Sequence, residues 1–143
     1  MPPTRFWTAS AGRAFVGRLE TGSDLVQEIE RFCAEQGITA AQVTVIGAVR
    51  RARYAYYEQD DRRYRELDSA THHEVVGFVG NISLREGRPF LHAHATLADA
   101  DGATVGGHLL PGCEVFAGEV MIRELGGVTL DRQPDEETGL ALW

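Results

Sequence analysis

Three of the five histidines in this chain stand around one turn signal, and their spacing fixes which way each of them points. The segment runs Leu91-His92-Ala93-His94-Ala95-Thr96-Leu97, then Asp99-Ala100-Asp101-Gly102, then Gly106-Gly107-His108-Leu109. Residues two apart in a strand share a face, so His92 and His94 project together. Asp99-Ala100-Asp101-Gly102 reads as a type I turn closed by a left-handed glycine, a three-residue hairpin loop with a bulge. If Asp99 and Gly102 close that turn, Leu97 pairs with Val105. Stepping outward sets His94 opposite His108, with His92 on the diagonal. Directly paired Cβ atoms lie about 4.5–5.5 Å apart and diagonal ones about 7–8 Å. Three imidazoles so placed can converge on one ion at roughly 2.0–2.1 Å per Zn–N bond.

A lone histidine in a strand is more often a hydrogen-bonded core or edge residue than a ligand, and His-x-His pairs arise by chance. The third histidine, arriving in register across a recognisable turn, makes metal binding by His92, His94 and His108 the stronger reading. Phe90, Leu91, Leu97, Leu109 and Leu110 flank the imidazoles and set them in a pocket, where neutral rings need partners that a cation provides. Three nitrogen ligands with an open fourth position fit a catalytic zinc, and nickel, cobalt or copper suit the same donors. Cys33 and Cys113 form no Cys-x-x-Cys pair, which excludes a thiolate zinc knuckle. Cys33 falls on the apolar face of a predicted helix as a small buried hydrophobe, and Cys113 follows Pro111-Gly112 at the start of a strand.

At 143 residues, 43% hydrophobic and 24% charged, the chain reads as one domain over 1–143, with a core at about 13–125 and an acidic tail at 126–143. A net charge of −7 argues against broad phosphate gripping, so nucleic acid is not an expected partner. All 14 basic residues are arginine, and the lack of lysine excludes Schiff-base chemistry. The basic clusters are Arg50-Arg51-Arg53 and Arg62-Arg63-Arg65. Asp60, Asp61, Glu66 and Asp68 flank the second, which reads as a self-paired surface. The opening Met1-Pro2-Pro3-Thr4-Arg5-Phe6-Trp7 lacks the apolar run of a signal peptide, and no stretch approaches about 20 apolar residues. The expectation is a soluble cytoplasmic protein that meets no membrane.

Along the chain, 14–19 alternates as a first strand. Ser23 or Asp24 then caps a helix with Leu25, Val26, Ile29, Phe32 and Cys33 at helical spacing, ended by Gly37. A strand of unusual length follows at 42–58, where Gly47 predicts a bend or bulge. Further strands fall just after 59–65, at 73–84, in the histidine hairpin and at 115–125, and the tail after Gly126 reads as less regular. The order points to an α+β fold, a mostly antiparallel multi-stranded sheet with one main helix.

These residues also resemble the plant and prokaryote conserved (PPC) domain, a stand-alone protein in bacteria and archaea and part of AT-hook nuclear proteins in plants. The likeness runs through Phe32-Cys33 with Gly37-Ile38, Ile46-Gly47-Ala48-Val49, 74–84, Leu91-His92-Ala93-His94, Asp101-Gly102, Gly106-Gly107-His108-Leu109 and Ala117-Gly118-Glu119-Val120. The resemblance implies a homotrimer with the three-histidine site of prokaryotic members on His92, His94 and His108. It also implies an architecture similar to acetolactate decarboxylase, whose zinc is held by three histidines. The plant proteins contact DNA through an Arg-Gly-Arg-Pro core that enters the minor groove. Here Glu86-Gly87-Arg88-Pro89 replaces the first arginine and reads as a turn between strands.

Two function classes follow. One is a metal-dependent enzyme on a small carbonyl or carboxylate substrate, and the other a noncatalytic regulatory or DNA-associated module with a structural or ligand-sensing metal. For an acid or base the candidates are Glu119, inside the apolar run 115–122, and Glu74, at the head of another; an exposed strand face explains either equally well. His72 and His73 point to opposite faces, so at most one joins the site, and Arg88 is placed to hold a substrate carboxylate at the hairpin mouth.

Overall fold

The chain forms nine strands and one helix among the residues described, 4–143, in a computed structural model. In chain order they are β1 (Ser10–Leu19), α1 (Leu25–Glu35), β2 (Ala41–Glu58), β3 (Arg63–Ser69), β4 (His73–Arg85), β5 (Arg88–Ala98), β6 (Thr104–Leu109), β7 (Glu114–Gly126), β8 (Asp131–Pro134) and β9 (Ala141–Leu142). Every pairing is antiparallel except β4 with β8. β2 pairs with both β4 and β6, and β5 joins those two, so four strands close on themselves.

β2 achieves this by bending where the sequence predicts. Its first half runs between β7 and β4; its second half pairs with β3 and, at Tyr54 and Ala55, with β6. The register against β4 shifts between Val43 and Gly47. A side chain at Gly47 would bring Cβ to 2.1 Å from the Ala117 carbonyl oxygen, so only glycine permits this crossing.

Asp24, rather than Ser23, caps α1, its Oδ1 accepting from the Val26 and Gln27 N–H groups at 3.0 Å each, a cap worth about 1 kcal/mol. At the other end Gly37 (φ 67°) closes a Schellman turn, with its own N–H on the Ala34 carbonyl and that of Ile38 on the Cys33 carbonyl. The helix buries Leu25, Val26, Ile29 and Cys33 against one face of the curled sheet, with Val43, Ile82, Leu91 and Ile122 in the same core. Each large side chain buried there contributes about 1.5–3 kcal/mol. On the other face Val16, Ile46, Val79, Phe116 and Met121 stand exposed.

The tail after Gly126 is more ordered than its sequence suggests. β8 lies parallel to the end of β4 through only two ladder pairs, and β9 turns back on it, segments too short to print a period. Glu86 (φ 53°) and Gly87 (φ 75°) form the two-residue turn between β4 and β5, which accounts for the Glu86-Gly87-Arg88-Pro89 tetrapeptide. Among the described residues no helix is long and apolar enough to cross a membrane.

Candidate metal centre

The hairpin turn forms as its residues dictate. The Gly102 N–H (φ 77°) donates to the Asp99 carbonyl at 3.0 Å, and Asp99 Oδ1 accepts from the Asp101 and Ala103 N–H groups at 2.9 Å each. Leu97 pairs with Val105 and His94 with His108, the register the turn implies. β6 fits between β5 and β2 because Gly106 and Gly107 have no side chains. A Cβ would lie 2.2 Å from the Ala95 carbonyl oxygen at the first and 2.6 Å from that of Ala55 at the second. Along β5, Leu91, Ala93, Ala95 and Leu97 are buried, so Phe90, His92 and His94 face outward on the alternate positions.

The three imidazoles converge. Their ring centres lie 5.1, 5.1 and 5.6 Å apart, and one nitrogen from each falls within 4.8 Å of the others. His92 Nε2 and His94 Nε2 are 3.2 Å apart, against about 3.3 Å for two nitrogens tetrahedrally disposed around zinc. His108 Nδ1 is buried without a hydrogen-bond partner. Burial, reinforced by Arg132 and then His94, pushes the His92 pKa down to about 4; burial, then its two histidine neighbours, pushes that of His108 down to about 4 as well. Both rings are therefore neutral at pH 7, each with one basic nitrogen. An orphaned nitrogen in an all-imidazole donor set fits a divalent ion.

A cavity of about 340 Å³ opens beside His92 and His108. Tyr64 packs its ring 4.9 Å from that of His108, and Tyr57 lies 4.9 Å beyond it, its hydroxyl donating to the Thr138 carbonyl at 2.6 Å. Arg132, from β8, is buried. Its Nε donates to Ser83 Oγ at 2.7 Å, Nη1 to the Ala141 carbonyl at 2.9 Å, and Nη2 to Asn81 Oδ1 at 3.3 Å and towards His92 Nδ1 at 3.3 Å. The residues 139–142 close one side. Sequence reasoning missed Arg132, Tyr57, Tyr64 and Arg85 as pocket residues; only Phe90, two before His92 on the same face, carried a local signal.

The remaining candidates lie elsewhere. Glu119 is exposed on β7, paired with Ile46 of β2, three strands from His94 or roughly 15 Å at about 4.8 Å per strand. Glu74 is exposed opposite Ala98, four residues beyond His94 on β5 or roughly 13 Å. His73 is buried with Nδ1 2.8 Å from the Thr71 carbonyl, His72 is exposed, and neither lines the cavity. Arg88 is exposed and outside the lining, whereas Arg85, its hairpin partner, lines it. Cys33 and Cys113 are free and buried, their thiols pushed up to about 12 and about 11 chiefly by burial. Apart from Arg62, the basic clusters are paired with acids: Arg50 with Glu114, Arg51 with Asp68, Arg53 with Glu66, and Arg63 and Arg65 with Glu58.

Residues 7–126 match the Plants and Prokaryotes Conserved (PCC) domain. The chain belongs to this family. It is 41% identical to the metal-containing protein of Archaeoglobus fulgidus, with a TM-score of 0.94 over 98% of this chain and 99% of that one. It is 34% identical to a plant- and prokaryote-conserved (PPC) protein of Pyrococcus horikoshii, with a TM-score of 0.92 over 98% and 96% of the two chains. A Staphylococcus aureus protein similar to alpha-acetolactate decarboxylase, 18% identical over 80% of this chain and 53% of that one, shares the fold at a TM-score of 0.56. The chain is also 32% identical to the bifunctional protein GlmU of Synechococcus sp. (strain JA-3-3Ab) over 129 residues, 89% of this chain. It spans only 20% of that protein's length. Across this PPC fold the exposed apolar positions and the histidine hairpin occupy one continuous sheet face, with Val79 paired to His94.

Proposed function

We propose that this PPC domain is a cytoplasmic metal-dependent enzyme whose divalent ion, zinc, is held by His92, His94 and His108 and whose substrate is a small carbonyl or carboxylate compound. The observation that carries the reading is the buried, unpartnered Nδ1 of His108 within a cluster of imidazoles. An unsatisfied buried polar atom costs about 1–3 kcal/mol, a cost a cation removes. The metal-containing relative from Archaeoglobus fulgidus supports metal binding, the first part of this reading. When bound, the ion supplies Lewis-acid polarisation of a carbonyl or carboxylate oxygen. Neutral ligands leave its charge uncompensated, which favours an anionic partner in the cavity. Tyr64 against the His108 ring holds that imidazole in place.

No carboxylate lines the cavity, so a proton-transfer role for Glu119 or Glu74 belongs to an assembly in which a second copy approaches the site. The proposed assembly is a homotrimer. Its support is the family resemblance together with the exposed apolar row that runs from Val16 and Met121 to Val79 beside His94.

Calorimetric titration of zinc-loaded protein with pyruvate tests the function. Chelation is expected to weaken binding at least tenfold with the circular dichroism spectrum unchanged. Chelation that unfolds the domain would instead mark the ion as a structural staple.

A further inference from the structure

We propose that the cavity beside the imidazoles is an oxyanion site in which Arg132 and Arg85 hold a carboxylate or phosphate group of a small molecule against Phe90. The chain carries 21 acidic residues against 14 basic ones, yet four arginines and no carboxylate line this cavity. Arg63 alone of the four is paired, with Glu58 and Asp61, while Arg62 donates to the Glu136 carbonyl at 3.0 Å. Among the described residues Arg85 and Arg132 make no ion pair.

Arg132 is only 8% exposed, and a buried guanidinium without a counter-anion is costly. Ser83, Ala141 and Asn81 fix it in place and leave a terminal N–H free. The guanidinium carbons of Arg85 and Arg132 lie 5.2 and 5.4 Å from the centre of the Phe90 ring. Planar guanidiniums on an apolar floor match the fork geometry of an oxyanion.

The contact with His92 extends the argument. A ligand histidine ordinarily donates its second N–H to an acceptor. Here a guanidinium, which can only donate, faces His92 Nδ1 at 3.3 Å. A cation on His92 and this guanidinium repel, and an oxyanion shared between them offsets both charges. Metal and anion should therefore strengthen each other's binding by the same factor. This coupling deepens the proposed function and rests on it; the arginine contact does not.

The test is calorimetric titration of the metal-free full chain with malonate and with inorganic phosphate, repeated with zinc and in Arg85→Gln. Arg85 is exposed, so its variant keeps the fold, and Arg132→Lys serves as a second variant that keeps the charge but loses the fork. At least one anion should bind the metal-free protein at millimolar concentration or better. Either variant should weaken it about tenfold or more, as should added salt to a lesser degree. Preference for malonate marks a carboxylate ligand, and preference for phosphate a phosphate ester. If neither anion binds at about 10 mM while zinc titrates normally, the oxyanion site is wrong and the metal reading survives. If the anion binds but zinc does not, the metal reading fails and the pocket stands.

Discussion

His92 and His108 tie the chemistry of the site to the stability of the chain. Both have folded pKa values of about 4 against 6.5 for a free imidazole. Between those values the unfolded chain binds more protons than the folded one, so the metal-free protein keeps its full stability above about pH 6.5 and loses it as the pH falls towards 4. At about 1.4 kcal/mol per unit, discounted because the rings are partly solvated and coupled, the loss should reach about 1–3 kcal/mol. Urea unfolding at pH 7.0 and 4.5 measures it, and His108→Gln should flatten the difference; an equal slope in the variant would show that other groups are responsible. At this scale the ligands were legible because period-two alternation and one turn determine where His92, His94 and His108 point. Arg132 was not, since only the packing of β8 along β4 brings it to His92, and nothing local to Asp131-Arg132-Gln133 announces that.

Among the elements, β6 depends most on what its residues lack. Gly106→Ala would drive a methyl into the Ala95 carbonyl and push β6 out of the gap between β5 and β2. The expected result is a loss of about 1–3 kcal/mol in stability and at least a tenfold loss of zinc affinity as His108 leaves its register. Thermal melting and metal titration read the two effects. Asp24→Ala should lower stability by about 1–3 kcal/mol, because its carboxylate both caps α1 and accepts from the Gly112 N–H, and should leave zinc stoichiometry untouched because it lies on the other side of the sheet. The helix with its Gly37 terminator, the hairpin register and the bend of β2 were readable from turn residues and periodicity. The strands of the tail were not, because β8 and β9 are held by a handful of ladder bonds and by Arg132 rather than by any pattern of their own.

For the molecule as a whole, one helix cannot cover both faces of the sheet, and Val16 and Val79 are left 81% and 73% exposed. Light scattering at micromolar concentration should give three times the chain mass, and Val79→Glu should reduce it by placing a charge in the covered face; a wild-type monomer would contradict the assembly. Duplex DNA should bind weakly and with a steep salt dependence, since the chain is acidic and its arginine clusters, Arg62 apart, are paired internally. Nanomolar sequence-selective binding near physiological salt would favour the regulatory reading instead. The most direct test of the central claim is the metal content of untagged protein, by inductively coupled plasma mass spectrometry, for wild type and His94→Ala. The account predicts one zinc per chain in the wild type and none in a variant with the same circular dichroism spectrum. A wild type free of metal that takes up none on titration, or a variant that retains its zinc, would contradict it.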